Sequence, residues 1–202
     1  MITISPYINQ FVALFSDLHE EAPWDLTQAA ELIIAKRIKT LNGDYKINNN
    51  VAIHKDAVVE EHVVIKGPVI ISAGCFIGAH AYLRNGVFLS DSVSIGPGSE
   101  VKSSLLFSNS ALAHFNFVGD SIIGSNVNLE AGAVIANHYN ERKDKGISVI
   151  KDGQPIITGV TKFGALIGDN TKIGANAVLS PGTILAMNSI VKRLQLIEQV
   201  TN

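Results

Sequence analysis

An aliphatic residue recurs at every sixth position of the chain from residue 53 to residue 101. A period of six matches neither the turn of an α-helix nor the two-residue alternation of an ordinary strand. It is typical of a hexapeptide β-helix, in which six residues form one short parallel strand and a turn, and three such units complete a triangular coil. All nine positions of this first column are aliphatic: Ile53, Val59, Ile65, Ile71, Ile77, Leu83, Leu89, Ile95 and Val101.

A second column of small or branched residues follows four positions after the first. We expect both columns to point into the β-helix, where each side chain packs on the coils above and below it. Such a narrow interior favours Ile, Val and Leu over large rings, which agrees with a content of 8 Phe, 4 Tyr and 1 Trp in 202 residues. Cys75 belongs to this column, so we expect a buried thiol rather than a reactive one. The column consists of Ala57, Val63, Val69, Cys75, Ala81, Val87, Val93 and Ser99.

The first column changes phase twice. After Val101 we expect it to restart at Leu105, and after Ile135 its next clear member is Ile167. A single hexad fills only a small part of the gap between Ile135 and Ile167, so the rest forms an excursion, which we place at residues 138–163. Within the excursion, ISVI and IITGV flank the turn sequence DGQP, which predicts a protruding β-hairpin. The predicted members after Leu105 are Ala111, Phe117, Ile123, Leu129 and Ile135, and those after Ile167 are Ile173, Leu179, Leu185 and Val191.

The segment before the repeats has helical periodicity instead. Its first helix is predicted to end near Pro23, and Asp25 can cap a second helix that Gly43 terminates in a left-handed conformation. We therefore predict an α-helical hairpin over residues 1–43, followed by a β-helix over residues 44–195. We expect the helical hairpin to act as a packing lid for the end of the β-helix, and a separate binding module is the less favoured alternative.

Composition excludes several classes of protein. The 16 basic and 18 acidic residues give a net charge of −2, which does not favour binding to nucleic acid or to a membrane surface. A single cysteine excludes an internal disulfide framework and a cysteine-rich zinc site. The sequence shows no signal peptide and no apolar run approaching the ~20 residues that a transmembrane helix needs, so we expect a cytoplasmic protein.

A few polar residues interrupt the repetitive pattern. His114 lies between a column position and Phe117. A lone histidine is more often structural than catalytic, but other polar residues at roughly coil spacing favour a functional role here. Arg84 and Lys102 are separated in sequence by one complete coil of three hexads, so they should stack. Two stacked cations form a simple phosphate site, although they can equally be two solvated charges. Further polar residues recur at roughly coil spacing: Asn128, Asn137 and Lys143.

Four stretches of the chain carry a family resemblance. They are AYLRNGV, GSEVKSS, AHFNFVGDSIIGSNVNLEAGAVIAN and KFGALIGDNTKIGANAVLSPGTIL. Together they resemble the left-handed β-helix acetyltransferase half of the bifunctional N-acetylglucosamine-1-phosphate uridyltransferase and glucosamine-1-phosphate acetyltransferase, and its archaeal sugar-phosphate relatives. The resemblance covers about residues 50–192 and keeps its spacing without gaps from Arg84 to Lys143.

The resemblance implies a function and a set of site residues. It implies a homotrimeric, acetyl-CoA-dependent hexapeptide-repeat acetyltransferase that N-acetylates an amino-sugar phosphate or a nucleotide amino sugar. His114 would be the general base, and Ala131 would line the acetyl-CoA path through its backbone. The remaining implied roles are phosphate binding by Arg84 and Lys102, sugar binding by Asn128 and Asn137, and entry of Lys143 into the site of a neighbouring subunit.

Three positions depart from the family pattern. Phe117 and His138 replace tyrosines of the family, and Ala175 stands where bacterial members carry serine. An O-acyltransferase, or a non-catalytic β-helix that binds a sugar nucleotide or mediates assembly, therefore stays open. A β-helical carbonic anhydrase would hold zinc with three histidines, but the six histidines here lack the close spacing of such a site, and we expect no metal.

Overall fold

The computed structural model describes residues 2–200, which contain three short α-helices, one 3-10 turn and 22 strands. None of the helices in this part of the chain is long and apolar enough to cross a membrane. The helices are α1 (Phe11–Leu14), α2 (Pro23–Gln28) and α3 (Ala30–Ile38), with the 3-10 turn at Ser16–Leu18. The strands are β1 (Tyr45–Asn48), β2 (Val51–His54), β3 (Val58–Val59), β4 (Val64–Lys66), β5 (Val69–Ile71), β6 (Phe76–Ile77), β7 (Tyr82–Leu89), β8 (Ser94–Ile95), β9 (Glu100–Leu106), β10 (Ala111–Leu112), β11 (Phe117–Gly119), β12 (Ile122–Ile123), β13 (Asn128–Leu129), β14 (Val134–Ile135), β15 (Ser148–Lys151), β16 (Gln154–Ile157), β17 (Ala165–Ile167), β18 (Lys172–Ile173), β19 (Val178–Leu179), β20 (Thr183–Leu185), β21 (Ile190–Val191) and β22 (Leu196–Ile197).

The strands pair in parallel with the strands one coil away, as the six-residue period predicts. Val69 of β5 lies opposite Val87 of β7, and Ile77 of β6 lies opposite Ile95 of β8, so each pair is separated by one coil of three hexads. One face of the prism is a seven-stranded sheet in the order β21-β18-β13-β10-β8-β6-β3. The other two faces are joined in one larger sheet, because β7 and β9 bend around a corner and contribute to both. The fold is the predicted left-handed β-helix.

Both predicted columns form the interior. From Ile71 to Val101 every member of the first column is fully buried, and the members at the open end, such as Ile53, are partly buried against the same core. Cys75 is 1% exposed and donates its thiol hydrogen to the carbonyl oxygen of Ser90 at 3.0 Å. Burial raises the pKa of this thiol to about 11, so it stays protonated near neutral pH.

The predicted restart of the first column is wrong by one residue. The inward side chains are Leu106, Leu112 and Val118 instead of Leu105, Ala111 and Phe117, whereas Ile123 and the later predicted members do point inward. The register explains the shift: Arg84 pairs with Lys102, but Val87 pairs with Ser104. Asn85 and Gly86 form the corner in one coil, whereas Ser103 alone forms the equivalent corner in the next coil. The coil that contains Ser103 is therefore one residue shorter.

The N-terminal helices cover a side of the prism, so their predicted role as an end lid is also wrong. The outward side chains of one face are apolar, and they are buried beneath the N-terminal helical segment and, at β20, beneath the hairpin strand β15. This packing removes their apolar surface from water. Phe15 of the helical segment packs edge-on against Phe88 at a centroid distance of 5.2 Å. The outward apolar residues of this face are Ile70, Phe88, Leu105, Ile122, Leu166 and Ile184.

The helical segment is also more broken than predicted. The first α-helix ends at Leu14, and the second region divides at Ala29 into α2 and α3. Pro23 occupies the first turn of α2, where a backbone N–H makes no hydrogen bond within the helix, so its absence costs nothing. Ala22 therefore precedes the helix, and Asp25 lies inside it. The helices end at Ile38, well before Gly43.

The excursion contains the predicted hairpin. Strands β15 and β16 pair antiparallel around Asp152 and Gly153, which both have positive φ as a tight hairpin turn requires. Val149 of β15 is fully buried on the β-helix, whereas Ile157 of β16 is 84% exposed. The start of the excursion is fixed as well, because Tyr139 donates its hydroxyl hydrogen to the carbonyl oxygen of Pro181 at 2.9 Å. The hairpin therefore packs on its own β-helix through its first strand.

We predict that Leu112→Ala destabilises the protein by about 2–5 kcal/mol, because it leaves a cavity between stacked coils. The neighbouring substitution Ala111→Ser should change stability by less than about 0.5 kcal/mol, since Ala111 points outward. Urea unfolding followed by circular dichroism measures both. Equal destabilisation by the two substitutions would contradict the inward assignment of Leu112.

Candidate active site

A stripe of cations runs along one edge of a β-helix face. Lys66 of β4 pairs in register with Arg84 of β7, and Arg84 pairs with Lys102 of β9. The predicted coil spacing therefore does stack Arg84 on Lys102. Lys102 pairs in turn with Gly119 at the end of β11, so the stripe lies beside this strand.

Each of the two predicted phosphate ligands is paired with a carboxylate. Arg84 donates from Nη2 to Glu100 Oε1 at 2.7 Å, and Lys102 Nζ lies 2.8 Å from Asp120 Oδ2. The Lys102 and Asp120 side chains are only 14% and 4% exposed, which makes this pair the more buried one. Asn137 also donates its amide hydrogen to Asp120, so three side chains form one network.

Asp120 is the site residue that sequence reasoning missed. Three hexads separate it from Lys102 in sequence, so coil spacing was a signal that could have found it, although the shortened coil pairs Lys102 with Gly119. Its neighbour Gly119 allows the network to form, because a Cβ at this position would lie 2.8 Å from both Asn137 Nδ2 and Phe117 Cζ. The half-buried Phe117 ring therefore adjoins the network in place of the family tyrosine.

His114 lies at the opposite end of β11, on the preceding corner of the prism. Its side chain is exposed and forms no hydrogen bond with any residue in the range 2–200. Its carbonyl oxygen accepts a hydrogen bond from Gly132 N at 2.8 Å, and the carbonyl oxygen of Ala131 accepts one from Asn176 N at 3.0 Å. This ladder places Ala131 one coil above His114. Within the same described range the Ala131 N–H has no partner.

Asn128 lies on the adjacent face, where β13 pairs with β10 and β18. It lines a groove of about 500 Å³ together with Glu130, Lys172 and Arg193. Arg193 donates from Nε and Nη2 to the Glu130 carboxylate at 2.8 and 3.0 Å, and these hydrogen bonds lower the pKa of Glu130 to about 2. Asn128 is therefore separated from the Lys102 stripe by the corner that carries His114.

Lys143 does not join the other predicted site residues within one chain. It lines a separate depression of about 320 Å³ with Arg142, Ser148 and Val200. Arg142 fixes this part of the excursion, because its guanidinium lies 3.5 Å from the centre of the Tyr139 ring and pairs with Glu198 at 2.9 Å.

The structure also brings two histidines together. His62 and His80 are one coil apart, and their rings stack at a centroid distance of 5.4 Å. The two histidines are not close in sequence, because a whole coil of other residues separates them. Within residues 2–200 no group of three or more His, Cys, Asp or Glu side chains is arranged to hold a metal ion.

Two family models match the repeats. The GMPPB C-terminal domain matches residues 65–161, and the hexapeptide repeat of succinyl-transferase matches residues 164–192. The chain belongs to the hexapeptide-repeat family. Its sequence corresponds to the acetyltransferase half of GlmU-like proteins, which its motifs resemble.

The similarity to GlmU-like proteins is substantial. The bifunctional protein GlmU of Methanococcus maripaludis strain C5 is 40% identical over 173 residues, which are 84% of this chain and 41% of that protein. The bifunctional sugar-1-phosphate nucleotidylyltransferase/acetyltransferase of Sulfurisphaera tokodaii is 37% identical over 94 residues, 46% of this chain and 23% of that protein. The chain spans about two fifths of the length of the first of these relatives.

Solved structures are less similar. A hexapeptide transferase family protein from Anaplasma phagocytophilum has 15% sequence identity and a TM-score of 0.42, over 75% of this chain and 80% of that chain. A similarity at this level adds nothing to the family assignment.

We predict that Asp120→Ala destabilises the protein by about 3–5 kcal/mol, because it leaves the Lys102 ammonium without its partner in a largely buried position. Glu100→Ala breaks the matched pair with Arg84, whose side chains are about 30% exposed, and should cost about 0–1 kcal/mol. Chemical denaturation of the two variants gives both values. A cost for Asp120→Ala no larger than that for Glu100→Ala would contradict the buried network.

Proposed function

We propose that this protein transfers an acetyl group from acetyl-CoA to the amine of an amino-sugar phosphate or a nucleotide amino sugar. The observation that carries the proposal is the exposed imidazole of His114, which has no hydrogen-bond partner in the described chain and lies across β11 from the Lys102–Asp120–Asn137 network. The 40% identity to a GlmU protein over most of the chain supports the same reaction class.

The chemistry requires a base beside the acceptor amine. An amino sugar is largely protonated at neutral pH and cannot attack a thioester in that form. A neutral imidazole takes the proton, and the amine nitrogen then attacks the thioester carbonyl carbon. The carbon–sulfur bond breaks, and the CoA thiolate leaves with a proton from the imidazolium. The regenerated imidazole then takes the second proton from the acylated nitrogen, which becomes the neutral amide, and releases this proton to solvent. We assign these proton transfers to His114.

The negative charge that develops on the thioester oxygen needs a hydrogen-bond donor. Asn137 is a poor choice, because it is buried with Asp120 at the other end of β11 from His114 and one of its two amide hydrogens already goes to Asp120. The backbone N–H of Ala131 has no partner among residues 2–200 and lies one coil above His114. We therefore assign the oxyanion contact, and with it the acetyl end of acetyl-CoA, to Ala131.

The acceptor is assigned to the strand between His114 and the cation stripe. Arg84 and Lys102 supply positive charge for its phosphate, although each must share that charge with a carboxylate. Asn137 presents its carbonyl oxygen to sugar hydroxyl groups, and Asn128 contacts the ligand from the adjacent face. Phe117 supplies an apolar surface where a tyrosine would donate a hydrogen bond.

A neighbouring subunit completes the proposed site. Lys143 lies in a separate depression of its own chain, held there by the contacts of Tyr139 and Arg142. A closed trimer brings the excursion of one subunit against a face of the next, which is a common way to share a site. We propose a cytoplasmic homotrimer in which Lys143 adds a cation to the acceptor phosphate of the neighbour.

Release of free CoA thiol tests the reaction directly. Acetyl-CoA is supplied with amino-sugar phosphates, nucleotide amino sugars and hydroxyl acceptors in parallel, so that N-acetylation is distinguished from O-acetylation. A protein that only mediates assembly would release no thiol with any of them. It would also gain no thermal stability from CoA, whereas a ligand at a hundred times its dissociation constant adds about 2.7 kcal/mol.

We predict that His114→Ala lowers kcat by about a hundredfold or more, because the general base is lost. Its thermal midpoint should stay within the error of the wild type, since the side chain is exposed and makes no hydrogen bond in the described chain. His19→Ala, at another exposed histidine, serves as the control and should retain full activity. More than about a tenth of the wild-type rate in His114→Ala would exclude the base role.

We predict that two inactive variants complement each other when their subunits exchange. His114→Ala and Lys143→Ala should each be inactive alone, whereas mixed trimers contain sites that receive both wild-type residues. Thiol release is measured before and after exchange, and mass spectrometry of mixed trimers verifies that exchange has occurred. Continued inactivity after verified exchange, or a monomer by light scattering, would rule out the shared site.

A further inference from the structure

A polar cleft of about 400 Å³ opens where the cation stripe ends. One wall is the corner of the β-helix formed by Asn85, Ser103 and Asp120, and the other is the N-terminal helical segment. Lys102 lies between the cleft and the face that carries Phe117. The cleft thus continues the proposed acceptor site beyond its cations.

The helical wall is fixed in place. Asn85 donates its amide hydrogen to Glu31 Oε1 at 2.7 Å, and Gln28 donates to the carbonyl oxygen of Lys162 at 2.8 Å. Gly86 has φ +85°, and a Cβ there would lie 2.5 Å from the backbone of Ala30, so helix α3 and this corner touch directly. The cleft is therefore a built feature of the fold.

The charges that line the cleft cancel. Lys102 and Lys162 are balanced by Glu31 and Asp120, and the other lining groups include the Gln28 and Asn85 amides. Leu32 adds an apolar surface that is 78% exposed. A neutral lining rich in hydrogen-bond donors and acceptors suits hydroxyl groups and a heterocyclic base better than it suits a phosphate.

The position of the cleft defines which part of a ligand it can hold. His114 lies on the corner before β11 and Gly119 ends this strand, so the two residues lie at opposite ends of one face. Lys102 pairs with Gly119, and the cleft lies on the far side of Lys102 from His114. A ligand whose amine is at His114 and whose phosphate is at Lys102 can enter the cleft only with a group attached beyond that phosphate.

We propose that the cleft binds the nucleoside of a nucleotide-linked amino sugar. The preferred acceptor is then a nucleoside diphosphate sugar, and a free sugar phosphate leaves the cleft empty. The N-terminal helices have a function in this arrangement beyond covering an apolar face, because Gln28, Glu31 and Leu32 form the wall that contacts the ribose and the base. The orientation of the ligand rests on the proposed function, but binding of the nucleoside does not.

Isothermal titration calorimetry with UDP, GDP and dTDP tests the cleft without requiring turnover, and inorganic pyrophosphate is the charge-matched control. At least one nucleoside diphosphate should bind about tenfold or more tightly than pyrophosphate. Leu32→Trp, which fills the cleft from an exposed position, should lose that advantage. Val58→Trp makes the same kind of change at a 56% exposed residue of β3, outside the cleft and the excursion, and should bind like the wild type. Gln28→Trp provides a second blocking variant if Leu32→Trp is unstable.

The outcomes separate this inference from the reaction. If pyrophosphate binds as tightly as every nucleoside diphosphate, or if both blocking variants bind like the wild type, the nucleoside assignment is wrong. In the thiol-release assay the blocking variants should raise the Michaelis constant of a nucleotide amino sugar and leave that of an amino-sugar phosphate unchanged. Nucleoside binding that the blocking variants abolish, in a protein without thiol release, would refute the proposed reaction while supporting the cleft.

Discussion

The stacking of aliphatic side chains inside the prism is the constraint on which the rest of the structure depends. Each inward residue, such as Leu89 or Ile95, packs on the equivalent residue one coil away, and the parallel strand ladders hold the coils at this spacing. Because the interior is narrow and continuous, a coil that is longer or shorter by one residue must differ from its neighbours at a corner. The corners therefore determine how outward side chains align between coils.

The candidate site lies where two coils are shortened in this way. Ser103 replaces a two-residue corner, and the next coil also places Asp120 at the corner with positive φ. This geometry aligns the Asp120 carboxylate with the Lys102 ammonium and the Asn137 amide. A rigid scaffold thus holds a buried polar network at one end of β11 and leaves His114 exposed at the other, and our proposed acceptor site lies between them.

The N-terminal helices modify this scaffold. They bury an apolar face that includes Phe88 and Leu105, and so the helices and the β-helix share a hydrophobic core. The helices also contact the corner at Gly86, and there they form one wall of the cleft beside Lys102. In our proposal the same packing that stabilises the face determines which acceptor can reach the imidazole.

The sequence by itself determined the β-helix, the second inward column, the first inward column except between Val101 and Ile123, the hairpin, and the stacking of Arg84 on Lys102. These features follow from a repeat that is visible within a few residues or at one coil spacing. Three features were decided only by the tertiary structure: Leu112 points inward instead of Ala111, Asp120 joins the network with Lys102, and the helices cover a side of the prism. The physical reason is that a hexad pattern specifies which side chains can point inward, whereas corner lengths and contacts between outward side chains depend on neighbouring coils and on segments far away in sequence.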